Sequence, residues 1–201
     1  MAYISSSDVK QYGGIPTTDT VDDSELTLII ARAQKYVDEY TGRVFECDSD
    51  DDATRYYTAS LDVARNTLWL DKDLNTVASI VAGTDTLSST DYVTEPRNDS
   101  PFYAITLTDQ TDLDWGDPSS DDDYENAIAV TAQWAYSSSA PADIQHAMIR
   151  LVKWYYKQGR ITDETADRPI VLESGATVLP AQIPSDVKEI LDRYRYRPVR
   201  A

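Results

Sequence analysis

The sequence predicts an α+β fold: a helical-bundle frame of about four helices, interrupted by an antiparallel β-strand insertion and followed by an extended C-terminal arm. Three observations carry this. Apolar residues recur at the helical period near both ends of the chain, they alternate with a period near 2 through the middle, and the patterns change over at stretches rich in Asp, Ser, Gly and Pro. An inserted module needs only that its two ends lie close together. On this basis the chain divides into residues 1–52 (N-terminal helices), 53–136 (β insertion) and 137–201 (long helix, loop or hairpin, C-terminal helix and basic tail).

The elements follow in order. Asp8 to Tyr12, closed by Gly13-Gly14 and Pro16, reads as a short helix. Asp22 with Glu25 resembles a capping box, and Leu26, Ile29, Ile30, Ala33, Val37 and Tyr40 then form one helical face until Gly42 supplies a stop. After Cys47, four alternating sets predict half-buried strands: Leu68 and Leu70; Val77, Ser79 and Val81; Tyr103, Ile105 and Leu107; Ile128, Val130, Ala132 and Trp134. Helical spacing returns after Pro141 with Ile144, Ala147, Met148, Leu151, Val152 and Tyr155, ending near Gly159. Ile170-Val171-Leu172 and Thr177-Val178-Leu179 suggest a hairpin, and Pro184 opens a last helix with Val187, Ile190, Leu191 and Tyr194 on one side.

Composition narrows the function. Eighteen Lys and Arg against thirty-five Asp and Glu give a net charge of −17, which opposes gripping of nucleic acid, because that affinity comes from basic groups releasing counterions. The acidity is uneven: residues 1–144 hold eight basic and twenty-eight acidic side chains, residues 145–201 ten and seven. One cysteine excludes an internal disulfide framework and a cysteine-rich zinc site. No stretch approaches the roughly 20 apolar residues of a membrane span, and the first residues show no basic region followed by an apolar run, so synthesis in a cytoplasm without a membrane anchor is expected.

Candidate chemistry is sparse. Asp48, Asp50 and Asp52 match the first ligand positions of an EF-hand loop, but Ala53 and Ala59 stand where Gly and a bidentate Glu are required. That run and the group Asp117, Asp121, Asp122 and Asp123 therefore read as solvated acidic segments, and no metal is expected. His146 is the single histidine, with Asp143 three residues earlier; without a nucleophile elbow it reads as a flank residue of its helix. Phosphate-cradling glycine motifs are absent, so no catalytic residue and no cofactor is expected. The run Arg193-Tyr194-Arg195-Tyr196-Arg197-Pro198-Val199-Arg200 interleaves charge with aromatic rings, a composition that suits docking on an acidic protein surface, a solvated tail that balances the charge, or contact with nucleic acid.

The segments Asp8–Tyr12, Gly14-Ile15, Asp22-Asp23 through Ile30–Ala33 and Val37–Tyr40 to Thr41–Glu46 resemble the N-terminal half of tailed-phage head-tail connector (adaptor) proteins. Pro101–Leu107, Val130–Tyr136 and Pro141–Gln145 continue the resemblance in the expected order, over about two thirds of the chain. The β module is longer than in nearly all-helical members, and Ala135 stands where a glycine is common.

The resemblance implies a structural virion protein that forms a ring, commonly twelve-fold, beneath the portal at the neck. It would extend the DNA channel without binding passing double-stranded DNA specifically, and offer a platform to tail or tail-completion proteins. Twelve copies would carry about −200 charges, a wall that repels phosphate. Arg193, Tyr194, Arg195, Tyr196, Arg197 and Arg200 are then candidates for portal docking, and Arg43, Tyr36, Tyr40, Trp154 and Tyr155 for the contact between subunits. The rival expectation is an acidic β-module binding protein without a ring role, attaching carbohydrate or tail fibre through Trp69, Trp115 or Trp134. An enzyme centred on His146 stands third.

Overall fold

A computed structural model describes residues 2–47, 52–109, 111–115, 126–159, 170–171, 177–178 and 182–196. The two hydrophobic periods of the sequence sort into two compact units, one of Ala2–Gly42 with Pro141–Arg195, the other of Arg43–Ala140 with the residues from Tyr196 onward. Among the described residues there are five helices and two four-stranded antiparallel sheets, so the α+β class holds. Residues 197–201 of the expected C-terminal arm lie outside the described residues.

The helical unit contains α1 (Ser6–Gly13), α2 (Asp23–Thr41), α4 (Ala142–Gly159) and α5 (Ser185–Arg193). Its core is the stripe the spacing predicted. Leu26, Ile30, Ala33 and Val37 of α2 are buried, as are Ile144, Ala147, Met148, Leu151 and Val152 of α4 and Val187 and Leu191 of α5. Both α2 and α5 pack on α4. Gly42 ends α2 in the left-handed region at φ 72°, where its N–H donates to Asp38 O at 2.8 Å. The hairpin is present as β9 (Ile170–Val171) paired antiparallel with β10 (Thr177–Val178).

The capping box is not where the sequence reading put it. Asp22 makes no side-chain cap to α2; its carboxylate accepts instead from the Tyr156 hydroxyl at 2.5 Å. The reciprocal motif sits on α1, where the Ser5 hydroxyl accepts from Asp8 N and the Asp8 carboxylate accepts from Ser5 N.

In the β unit one sheet runs β1-β8-β4-β5 and the other β2-β3-β7-β6. The strands are β1 (Ala53–Tyr57), β2 (Val63–Ala64), β3 (Thr67–Leu74), β4 (Thr76–Ala82), β5 (Asp85–Thr86), β6 (Tyr92–Glu95), β7 (Phe102–Leu107) and β8 (Ile128–Gln133), with one helical turn, α3 (Ala59–Asp62), after β1. Both sheets contribute to one core: Leu68, Leu70, Ile105 and Leu107 from one, Tyr57, Ile80, Ile128 and Val130 from the other. Strand β8 alternates as predicted. In β4 the phase changes: a register shift between Val77 and Ser79 puts Ile80 and Ala82, not Val81, into the core.

The two chain segments that lead into and out of the sheets are tied side by side. Tyr136 N donates to Val44 O at 2.8 Å, Glu46 bridges Ser137 in parallel, and Ala140 N donates to the Glu46 carboxylate at 3.1 Å. Buried Phe45 lies against the Tyr136 ring, with centroids 5.6 Å apart. The two ends of Arg43–Ala140 in the β unit thus lie side by side.

Candidate functional site

One aromatic cluster of the helical unit is built by helical spacing. Arg32, Tyr36 and Tyr40 lie four residues apart along α2 and therefore share a stripe. Tyr36 and Tyr40 stack with centroids 5.7 Å apart at 29°. From α4, Tyr155 receives the Arg32 guanidinium at 4.3 Å over its ring and meets Trp154 at 5.0 Å. Beyond α5, Arg195 lies 5.9 Å over Tyr40, whose hydroxyl donates to the Asp192 carboxylate at 2.8 Å.

The electrostatics follow from that packing. Burial raises the Tyr36 phenol above its ordinary value, and Tyr155 and Asp192 add to the shift. The hydrogen bond to Asp192 raises Tyr40. Both phenols stay neutral near pH 7. Rings held half-buried beside guanidinium groups have the composition of interface anchors: large, rigid and already partly desolvated.

Four of the five residues expected at a subunit contact, Tyr36, Tyr40, Trp154 and Tyr155, belong to this cluster of rings. Arg43 belongs to the β unit. There its Nη1 donates to both carboxylate oxygens of Asp73, at 2.6 and 2.7 Å, and its guanidinium lies 5.4 Å from the Tyr136 ring and 5.3 Å from the Tyr196 ring. Arg32 and Asp192 were missed by sequence reasoning. The four-residue spacing from Arg32 to Tyr36 was a signal for the first; the contact of Asp192 with Tyr40 spans 152 positions and had none.

The strip expected to dock on the portal is divided. Arg193 is exposed at the end of α5, Tyr194 is half-buried, and Arg195 is exposed beside Tyr40. Tyr196 is half-buried in the β unit, donating to Leu70 O at 3.3 Å. Arg197 and Arg200 lie outside the described residues.

The remaining candidates are placed as follows. His146 is exposed, with Tyr12 edge-on at 5.7 Å. Trp115 is 4% exposed in the β core and donates to Asn66 O. Trp134 donates to Ala53 O beneath the Arg55 guanidinium, and Trp69 stacks on Tyr103. Asp48, Asp50, Asp117 and Asp121–Asp123 lie outside the described residues. Among the described residues no group of three His, Cys, Asp or Glu is placed to hold a metal, and no helix is long and apolar enough to cross a membrane.

The fold that carries this cluster is one found in particle necks. It is similar to a chain from the neck of an empty gene transfer agent particle solved with C6 symmetry, at TM-score 0.55 and 13% identity, covering 96% of this chain and 89% of that one. A chain from the neck of the native particle, solved with C12 symmetry, gives TM-score 0.51 and 13% identity over 90% of this chain and 91% of that one. No curated protein matches in sequence. The family model for head completion proteins matches residues 2–197, and the chain belongs to the head completion protein family. The resemblance to head-tail connectors is thereby borne out at the level of family, and with it a structural role at the neck.

Proposed function

We propose that this head completion protein is a connector subunit that closes a ring at the neck of its particle, between portal and tail, and continues the passage for DNA. The observation that carries the reading is the cluster of exposed Arg32 with half-buried Tyr36, Tyr40 and Tyr155 in the helical unit. A ring requires a heterologous contact that closes on itself, and such a patch is what one side of it needs. Likeness in fold to chains from necks solved with C6 and C12 symmetry supports the rotational arrangement.

The charge distribution fits a passage that must not retain DNA. Residues 43–140 hold five basic and twenty acidic side chains, so a phosphate backbone gains no counterion release against them. The basic, aromatic residues from Arg193 to Arg200 are the part of the chain suited to an acidic groove on the portal, and the β unit is the part offered to tail-side proteins.

The test is electron microscopy of purified particles carrying wild-type chain or Arg32→Glu. Wild type should be traced as a ring at the neck, and the exposed charge reversal should leave heads without tails while the isolated chain melts as before. Tracing another chain at that position, or finding complete particles with the variant, overturns the reading. Loss of residues 193–201 with undiminished portal binding overturns the docking assignment.

A further inference from the structure

Among the described residues, the helical unit exposes large apolar side chains in two places: Tyr12, Ile15 and Val21 around the connection from α1 to α2, and Leu28 on α2. The connection is acidic. Between Lys10 and Arg32 the chain holds Asp19, Asp22, Asp23 and Glu25 and no basic side chain. Asp22 holds the Tyr156 hydroxyl and Asp23 pairs with Lys10. Asp19 is exposed, its carboxylate accepts from Val21 N at 3.2 Å, and it belongs to no ion pair among the described residues. Beside it Val21 is 85% exposed.

The face of α2 that carries Leu28 has the opposite charge. Leu28, 73% exposed, stands four residues before Arg32 and so shares its stripe. Arg32 and Arg195 are exposed over the Tyr155 and Tyr40 rings, and neither belongs to an ion pair among the described residues. A guanidinium over a ring still offers its fork of N–H donors to a carboxylate. The acidic groups of this face are engaged: Asp192 accepts from the Tyr40 hydroxyl, and Glu39 pairs with Lys35. The two patches are separate, because Tyr36 follows Asp23 by thirteen positions of α2, about 20 Å along its axis.

We propose that the α1–α2 connection of one copy seats on this face of α2 in the next copy, with Val21 against Leu28 and the Tyr36 ring and Asp19 facing Arg32. Charge complementarity selects the occupant: an apolar side chain beside an open carboxylate meets one beside an open guanidinium. The inference rests on the ring reading and deepens it. A head-to-tail ring needs two surfaces that differ, and the ring cluster is one while the connection is the other.

The test is a charge exchange in particles assembled with the full-length chain. Asp19→Arg and Arg32→Glu should each leave the melting of the isolated chain as it was and lower the yield of tailed particles about tenfold or more. Combined, they should bring the yield back to within about threefold of wild type, because the pair re-forms with its signs reversed. Losses that simply accumulate, or a normal yield with either single variant, overturn the proposal. A second measurement does not depend on charge. In a Cys47→Ser background, Val21→Cys with Tyr36→Cys places two thiols far beyond disulfide reach within one chain, whose Cα atoms would have to lie within about 7 Å. Oxidised particles should then give a ladder of species larger than a dimer on a non-reducing gel, and neither single cysteine should. A ladder that stops at the dimer overturns the head-to-tail order. If no ladder forms while the chain is traced as a neck ring, the seating alone falls; if no ring is found, the ring reading falls with it.

Discussion

Replacing Arg43 by Met removes one half of an ion pair whose other half is deeply buried. Asp73 is 5% exposed, and both of its oxygens are held by Arg43 Nη1 at 2.6 and 2.7 Å. Breaking such a pair from one side leaves an uncompensated charge and costs about 3–5 kcal/mol, a large share of the roughly 5–15 kcal/mol that holds a domain folded. With a urea dependence of about 2 kcal/mol per molar, the midpoint should fall by about 2 M. Tryptophan fluorescence reports chiefly on this unit, since Trp69, Trp115 and Trp134, three of the four tryptophans, lie in it.

The loss should depend on pH with a defined sign. Burial already raises the Asp73 carboxyl, and Arg43 opposes that shift. Without the guanidinium the folded chain retains a proton that the unfolded chain releases near 3.8, so stability declines as pH rises from about 4 through the folded value. The deficit of Arg43→Met relative to wild type should be small near pH 4 and larger at pH 8. Adding Asp73→Asn should recover much of it. A loss below about 1 kcal/mol, equal at both pH values, would refute the view that Arg43 is a structural residue of the β unit.

Three further outcomes are expected. The Asp38 carboxyl is raised to about 6, chiefly by burial and despite the hydrogen bond from the Tyr3 hydroxyl, so its contribution to stability declines between about pH 4 and 6; Asp38→Asn should flatten that slope and gain about 1 kcal/mol at pH 7 once solvent screening is allowed for, as urea melts across pH would reveal. Ser5→Ala should cost about 1 kcal/mol through loss of the cap, read as faster amide exchange in α1. Gly42→Ala places a side chain at φ 72° and should cost about 1–2 kcal/mol, with a matching fall in thermal midpoint.

The helical stripes of α2 and α4 were legible because a 3.6-residue period is a property of the local backbone, and burial simply selects the side of the helix that carries it. The same holds for Ile128, Val130 and Ala132 of β8. The Tyr36/Tyr40 part of the candidate site was legible for that reason, since its spacing lies within one helix. Its union with Tyr155, Arg195 and Asp192 was not, because those partners stand more than a hundred positions away.

Several other features depended on distant partners in the same way. The turn Arg65-Asn66 has positive φ at both residues, 50° and 69°, without the glycine that usually signals such a hairpin. It is held in place from outside, where Asn66 O accepts from Trp115 Nε1 at 2.8 Å and from Leu107 N at 3.1 Å. The phase of β4 was set by its pairing with β8, and Asp22 was drawn from a cap to Tyr156. Periodicity is written into neighbouring residues and survives any fold that buries one face. Which polar atoms meet, and so whether an arginine becomes a surface contact or the centre of a buried pair, is decided when segments far apart in the chain are packed together and must satisfy one another out of water.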